Sequence, residues 1–409
     1  MLNTEAAESA GIEPCSVNIK IEGKIILIWN YIYSTMGFLG MTSSHVIMMC
    51  VALFLIFLAI VKHYEPLLLL PLALGILIAN IPAAGLSAYD EGRLMHFLYS
   101  GIRLVIYPPL IFLCIGTMTD FGPLIANPKS AIIGLGGQLG IFVAMGTAYY
   151  FGNALIPLIP GYDGFTLKEA AAVGIIGSSD GPTSIYTATR LAPELLPSIA
   201  IAAFSYMALV PFIQPPIMRM LTTQKERVIV MPEPKQVTQK QKIIFPIAMI
   251  ILTLLIFPAA SALIAMLMIG NLIRESGVTQ RFVPTLQTEM LNILTLLVGL
   301  SIGSSATADR FLTPETLIII FSGLLAFAFG TVGGVLTAKL LCKLTGGKIN
   351  PLIGNSGVSA MPMAARISQR MGQKYNPQNH LLMHAMGPIV SSTIGSAMLA
   401  GVLISIFSK

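Results

Sequence analysis

Apolar runs of membrane-crossing length recur along this chain, and no other feature restricts its fold as severely. A helix needs roughly 20 mostly apolar residues to cross the hydrocarbon core of a bilayer. Such stretches occupy residues 44–62, 66–86, 101–118, 130–160, 195–221, 243–270, 290–308, 316–343 and 381–407, with less regular ones near 168–190 and 349–370. Lipid offers the backbone no hydrogen bonds, so a span must be a helix or part of a closed barrel. These runs lack the short alternation of barrel strands. Charged residues are 10% of the chain, against about 25% in soluble domains. The expectation is an all-α polytopic membrane protein with about ten or eleven membrane segments.

The net charge of +6 is not a nucleic-acid signature. Its basic residues gather in two connections: Arg219, Lys225, Arg227, Lys235, Lys240 and Lys242 in one, Lys339, Lys343 and Lys348 in the other. The positive-inside tendency places both in the cytoplasm. Cys15, Cys50, Cys114 and Cys342 are scattered without a Cys-x-x-Cys pair, which implies neither a disulfide framework nor a metal cluster. Residues 1–42 begin with Glu5, Glu8 and Glu13 and no basic stretch, unlike a cleaved signal peptide. Residues 18–40 within them read as either an interfacial helix or an extra span.

The polar segment "TTQKERVIVMPEPKQVTQKQK" (222–242) interrupts the hydrophobic pattern. Its Pro232 and Pro234 disfavour a continuous helix, so it reads as a linker between a first membrane repeat, 43–221, and a second, 243–409. Each half carries two punctuated elements. "CIGTMTDFGP" and "IGSSDGPTS" in the first answer "SIGSSATAD" and "IGNSGVSAMP" in the second. Gly116 and Gly303 are 187 residues apart, Gly177 and Gly354 177 apart. Transporters built from repeats place ion and substrate sites where broken helices of both halves meet, because unwound backbone at that depth must be buried or line a cavity. The expected fold is therefore two repeats with broken or re-entrant hairpins, and the two breaks belong to one site.

Within the first break, "GIIGSSDGPTSIYTATR" (174–190) puts an acid, Asp180, in membrane-grade sequence. Intramembrane carboxylates are rare and face a partner or a watery cavity; a plain helix cap is the alternative. Ser178, Ser179, Thr183 and Ser184 add more oxygens than one cap uses, and no Lys or Arg beside Asp180 neutralises it, Arg190 lying beyond the apparent hairpin. An alkali cation, bound by hard oxygen ligands, answers that charge. The second break, "INPLIGNSGVSAMPMAARIS", offers Asn350, Asn355, Ser356 and Ser359 around Gly354 and Gly357. In a continuous helix Asn350 and Gly354 share a face, with Ser359 roughly along it; small-residue helix packing is the competing reading. Tyr206 projects a phenol toward the same cavity or simply packs. Arg366 is either a two-point carboxylate clamp or an arginine reaching the interface.

Weaker patterns carry less. "GLGGQLG" (134–140) lacks a strand–helix setting for nucleotide binding, and Gly136 and Gly140 have the spacing of close helix packing. His380 and His384 stand four apart without the glutamate of a zinc protease between them. The 22 methionines are spread through apolar helices as core filler.

At "MTDFGPLIANP" (118–128), "DGPT" (180–183), "NPLIGNSGVSAMPMAARISQ" (350–369) and "HLLMHAMGP" (380–388), the chain resembles the integral-membrane β subunits of bacterial sodium-translocating biotin-dependent decarboxylases. The oxaloacetate, methylmalonyl-CoA, glutaconyl-CoA and malonate systems use related subunits, and the likeness runs from about residue 45 to the C-terminus. It implies decarboxylation of carboxybiotin presented by a partner, coupled to Na⁺ export with consumption of a proton. It carries the family's functional residues onto Asp180, Tyr206, Asn350, Gly354, Ser359 and Arg366. Of these, Asp180, Tyr206, Ser359 and Arg366 are expected in the reaction, Arg366 toward carboxybiotin, and Asp180, Tyr206, Asn350, Gly354 and Ser359 at the ion. The implied setting is the bacterial inner membrane. The implied partners are a carboxyltransferase α subunit, a biotin carrier and a small γ/δ-type membrane subunit. The implied fold is a scaffold plus a mobile core, assembled as a homotrimer. Ile389 departs from the asparagine expected after "HAMGP"; Ser391 or Ser392 stands ready to replace that oxygen. A sodium-coupled secondary carrier of an organic anion is the alternative function.

Overall fold

The computed structural model describes residues 36–408 except 64, 161, 234 and 235, so the segment 18–40 lies almost wholly outside the described residues. Helices dominate: α1 (Ser43–Val61), α2 (Pro66–Ala79), α3 (Leu94–Arg103), α4 (Tyr107–Met118), α5 (Ser130–Leu158, with a π turn at Thr147–Phe151), α6 (Leu167–Gly174), α7 (Gly181–Leu191), α8 (Leu196–Leu221), α9 (Gln239–Ile256), α10 (Ser261–Glu275), α11 (Phe282–Ser305), α12 (Pro314–Leu344), α13 (Met363–Tyr375) and α14 (Leu382–Phe407). Their starts follow from local chemistry. Thr42, Thr166 and Thr238 each accept a backbone N–H three residues on, and His45, Glu169 and Gln241 return the bond, the reciprocal capping box.

Among the described residues, seven helices are long and apolar enough to cross a membrane, or nine if two bent pairs count as spans: α3 with α4, bent by 67°, and the two parts of α8, bent by 61°. The shorter α2 and the broken pieces α6–α7 and 351–375 make up the rest of the expected segments. One expected span is corrected. The run 243–270 is not continuous but divides at Phe257–Pro258 into α9 and α10, because proline has no N–H for the ladder and restricts the residue before it. On α1, Met48, Ala52, Leu55 and Ala59 are buried at helical spacing, while Leu53, Phe54, Phe57 and Ile60 face outward. An apolar outer face suits lipid, not water.

The two halves interlock. Helix α2 packs on α11, and α10 packs on α4. A methyl on Gly116 of α4 would overlap the Leu267 carbonyl of α10, and one on Gly303 of α11 would overlap the Leu72 carbonyl of α2. Asn271 Nδ2 donates to Thr119 O at 2.8 Å, and Asn80 Nδ2 to Ala306 O at 2.9 Å. Small residues admit such close crossings, and buried amides satisfy carbonyls freed at helix ends.

The segment 222–242 is anchored. It contains a short helix, Gln224–Arg227. Arg227 Nη1 donates to Tyr375 Oη at 2.9 Å, and Lys339 Nζ lies 3.5 Å from Glu226 Oε2. The two basic connections thus meet, Lys339 Nζ also donating to Leu221 O at 3.0 Å.

Candidate functional site

Both breaks are short 3₁₀ turns held at close quarters, Ile175–Ser178 and Pro351–Gly357. Helix α5 lies against them with almost no side-chain spacer. A methyl on Gly140 would stand 2.6 Å from Gly177 O, and one on Gly137 would overlap Gly357 O. Glycine is required where backbone meets backbone in this way. The "GLGGQLG" stretch is therefore packing sequence, as its spacing implied. The breaks are also joined directly: Ser359 N donates to Ser178 O at 3.0 Å.

Asp180 follows the first turn. Ser179 before it adopts the left-handed region, φ 58°, which turns the chain so that Asp180 heads α7. Asp180 is 5% exposed. Thr183 Oγ1 donates to its Oδ2 at 2.7 Å, and Ser396 Oγ of α14 to the same oxygen at 3.2 Å. None of the ion pairs among the described residues reaches it. A buried carboxylate without an ion-pair partner is costly to keep charged.

One helical turn before Ser396, Ser392 Oγ accepts from Ser359 Oγ at 3.0 Å and from Gln138 Nε2 at 3.0 Å. Asp180, Ser396, Ser392, Ser359 and Gln138 therefore form a buried oxygen-rich cluster drawn from α5, both breaks and α14. Among the described residues no group of three His, Cys, Asp or Glu could hold a metal. The donor chemistry here is carboxylate, hydroxyl and amide oxygen, which fits a hard alkali cation.

Of the residues expected in the site, Asp180 and Ser359 are linked indirectly, through Ser178 and through Ser392 and Ser396 of α14. Asn350 and Tyr206 have partners of their own. Asn350 is fully buried but occupied: Oδ1 accepts from Leu352 N at 2.9 Å, and Nδ2 donates to Ile229 O at 2.8 Å and Arg227 O at 3.1 Å. It caps the second turn and holds the linker. Gly354 admits α12, with the Gly334 carbonyl 2.5 Å from where its Cβ would be. Tyr206 donates to Ile320 O and covers Gly323 on α12. The continuous-helix face that grouped Asn350, Gly354 and Ser359 does not exist, because the segment is a 3₁₀ turn that ends before Ser359. Asn355 pairs with Gln214 and Ala364 O. Arg366 is exposed on α13, as are Arg370 and Lys374 at four-residue intervals.

Ile389 is fully buried in an apolar cluster with Val210, Phe327 and Leu352. Of its two candidate substitutes, Ser391 turns to Ala131 O at 2.9 Å, whereas Ser392 is the one in the cluster. Gln138 and Ser396 were missed from the sequence. The signal was present in a polar residue inside an apolar run at 138 and a serine four residues after Ser392.

A profile of the family described as "Na+-transporting oxaloacetate decarboxylase beta subunit" matches residues 44–407. The chain belongs to that family. It is 52% identical over 373 residues to methylmalonyl-CoA decarboxylase subunit beta of Veillonella parvula, covering 91% of this chain and 96% of the relative. Glutaconyl-CoA decarboxylase subunit beta of Acidaminococcus fermentans is 49% identical, with 90% and 95% covered. Oxaloacetate decarboxylase beta chain of Klebsiella pneumoniae is 43% identical, with 92% and 98% covered. This Na⁺-transporting decarboxylase β subunit is thus a multi-pass membrane component of a multi-subunit decarboxylase, and the organic-anion carrier is set aside.

Proposed function

We propose that this subunit decarboxylates carboxybiotin brought by a biotin carrier and exports Na⁺ with the free energy released. The observation that carries the reading is the union of Asp180 with Ser396, and of Ser359 with Ser392, where the two breaks touch. Na⁺ in this cluster keeps Asp180 ionised. Carboxybiotin arrives from the basic, cytoplasmic end, where exposed Arg366 with Arg370 receives its carboxylate. The N–C bond breaks, CO₂ leaves, and the biotin nitrogen takes up a proton. That proton travels through Asp180: its arrival neutralises the one full charge among the ion ligands, so Na⁺ leaves toward the opposite side, and its passage to biotin returns Asp180 to the ionised form. The coupling needs an affinity difference between the two states, and a carboxylate that alternates between charged and neutral supplies it. Tyr206 stays in the proposal as a residue of the reaction; its hydroxyl must first leave Ile320 O. Asn350 and Gly354 act on the ion by shaping the second turn.

The partners in this reading are a carboxyltransferase α subunit, a biotin carrier and a small γ/δ-type membrane subunit, around a homotrimer of this chain. The carboxyltransferase determines which acid is consumed. The halves 43–221 and 243–409 form two repeats about the 222–242 linker, a view supported by the exchanged crossings of α2 with α11 and α10 with α4. The test is the complete complex in proteoliposomes. Asp180→Asn is expected to abolish both ²²Na⁺ uptake and Na⁺-stimulated decarboxylation, and coupled activity in that variant at the wild-type level would sink the proposal.

A further inference from the structure

Gln138 interrupts α5 between Gly137 and Leu139 and is 3% exposed. Its Nε2 lies 3.0 Å from Ser392 Oγ, 3.2 Å from Ser392 O and 3.3 Å from Gly134 O. Two of these three are carbonyl oxygens, which only accept, so the nitrogen must face them. Turning the amide over would set oxygen against oxygen. With the orientation settled, Oε1 is buried and has no hydrogen-bond partner. Leaving such a carbonyl unmatched is costly, and each instance calls for a cause.

The side chain lies on the cluster side of α14. A Cβ on Gly395 would stand 3.4 Å from Gln138 Nε2 and 3.7 Å from Cδ, so the amide lies against the Ser392–Gly395 stretch of α14. Ser396 touches Asp180 and Ser392 touches Ser359. Beside Asp180, the Ser179 hydroxyl is likewise buried without a partner. One carboxylate and several neutral oxygens therefore surround this region with unused lone pairs.

We infer that Gln138 Oε1 is a direct ligand of the transported alkali cation, joining α5 to the breaks at the ion. A single carboxylate balances one positive charge, so the ligand class is a monovalent ion; a divalent ion would leave a buried excess charge. Neutral amide and hydroxyl oxygens are the hard donors such an ion takes. Gln138 sits between Gly137 and Gly140, the residues that meet Gly357 and Gly177. Any sliding of α5 over the breaks moves Oε1 relative to Asp180 and so alters ion affinity, which is the differential binding that coupling requires.

The inference rests on the reading of Asp180 above, and the experiment separates the two. Equilibrium ²²Na⁺ binding is measured on the purified complex in nanodiscs for wild type, Asp180→Asn, Gln138→Leu and Gln138→Met, with Na⁺-dependent thermal protection recorded against K⁺ and choline. Expected are loss of binding in Asp180→Asn, and about tenfold weaker binding with matching loss of Na⁺ protection in Gln138→Leu and in Gln138→Met, which keeps nearly the same shape without the oxygen. Wild-type affinity in Gln138→Leu alongside loss in Asp180→Asn overturns the role of Gln138 and leaves Asp180 standing. Wild-type affinity in Asp180→Asn overturns both. If Gln138→Leu does not fold, Gln138→Met decides, and an unchanged Na⁺ affinity there refutes the inference.

Discussion

Ser396 Oγ donates to Asp180 Oδ2 at 3.2 Å across 216 residues of chain. The contact joins the head of α7 in the first half to the middle of α14 in the second. Removing the hydroxyl leaves the carboxylate less well held. Ser396→Ala should raise the Na⁺ concentration for half-maximal decarboxylation about tenfold, the size of a lost hydrogen bond to a charged group at ~1.5 kcal/mol. The reading is a Na⁺ titration of the whole complex, with the thermal midpoint as a check on folding.

Asp180→Asn preserves shape while removing the charge. It should weaken Na⁺ binding more than Ser396→Ala does. If both variants titrate alike, the carboxylate is not the principal ligand.

Asn350 separates a structural role from an ion-binding one. Its amide serves Leu352 N, Arg227 O and Ile229 O. Asn350→Ala leaves those groups unmatched, and a loss of about 1–3 kcal/mol in stability is expected. In protein that does fold, any loss of Na⁺ affinity should track the loss of stability, because Asn350 acts on the ion only through the second turn. A large affinity loss at normal thermal stability would return Asn350 to the ion.

Two glycines of α5 should respond oppositely to alanine. At Gly137 the methyl meets the Gly357 carbonyl, whereas at Gly146 nothing lies within 4 Å. Gly137→Ala should cost about 1–3 kcal/mol through overpacking and reduce coupled activity by pushing α5 off the second turn. Gly146→Ala should be neutral or stabilise by about 0.5–1 kcal/mol, since alanine restricts the unfolded chain. Thermal unfolding of the two variants side by side reads the contrast.

The basic residues of α13 open a further test. Arg366→Ala should impair decarboxylation of carboxybiotin at least tenfold while leaving ²²Na⁺ binding unchanged, because Arg366 is exposed on α13. Equal losses in both measurements would contradict a clamp that meets only the carboxylate.

Much of the architecture was legible because hydrophobic length is a one-dimensional property. Runs such as 130–160 and 381–407 announce helices wherever they lie, and Asp180 stands out because an acid is rare in such surroundings. The two breaks the sequence singled out touch through Ser359 N and Ser178 O. It failed at Asn350, whose partners lie on the linker at 227 and 229, and at 243–270, where Pro258 divided what hydropathy joined.

The sequence by itself determined that this is a helical membrane protein with an acid in one break and small polar residues in another. Local composition is enough for that, since each helix satisfies its own backbone in lipid. Only the tertiary structure decided that Ser396 reaches the acid, and that Ser359 and Gln138 reach Ser392 one turn earlier on the same helix. Ser392 and Ser396 come from one helix, Ser359 from a break and Gln138 from another helix, and they meet because glycine contacts bring backbones together over distances in sequence that no local pattern encodes.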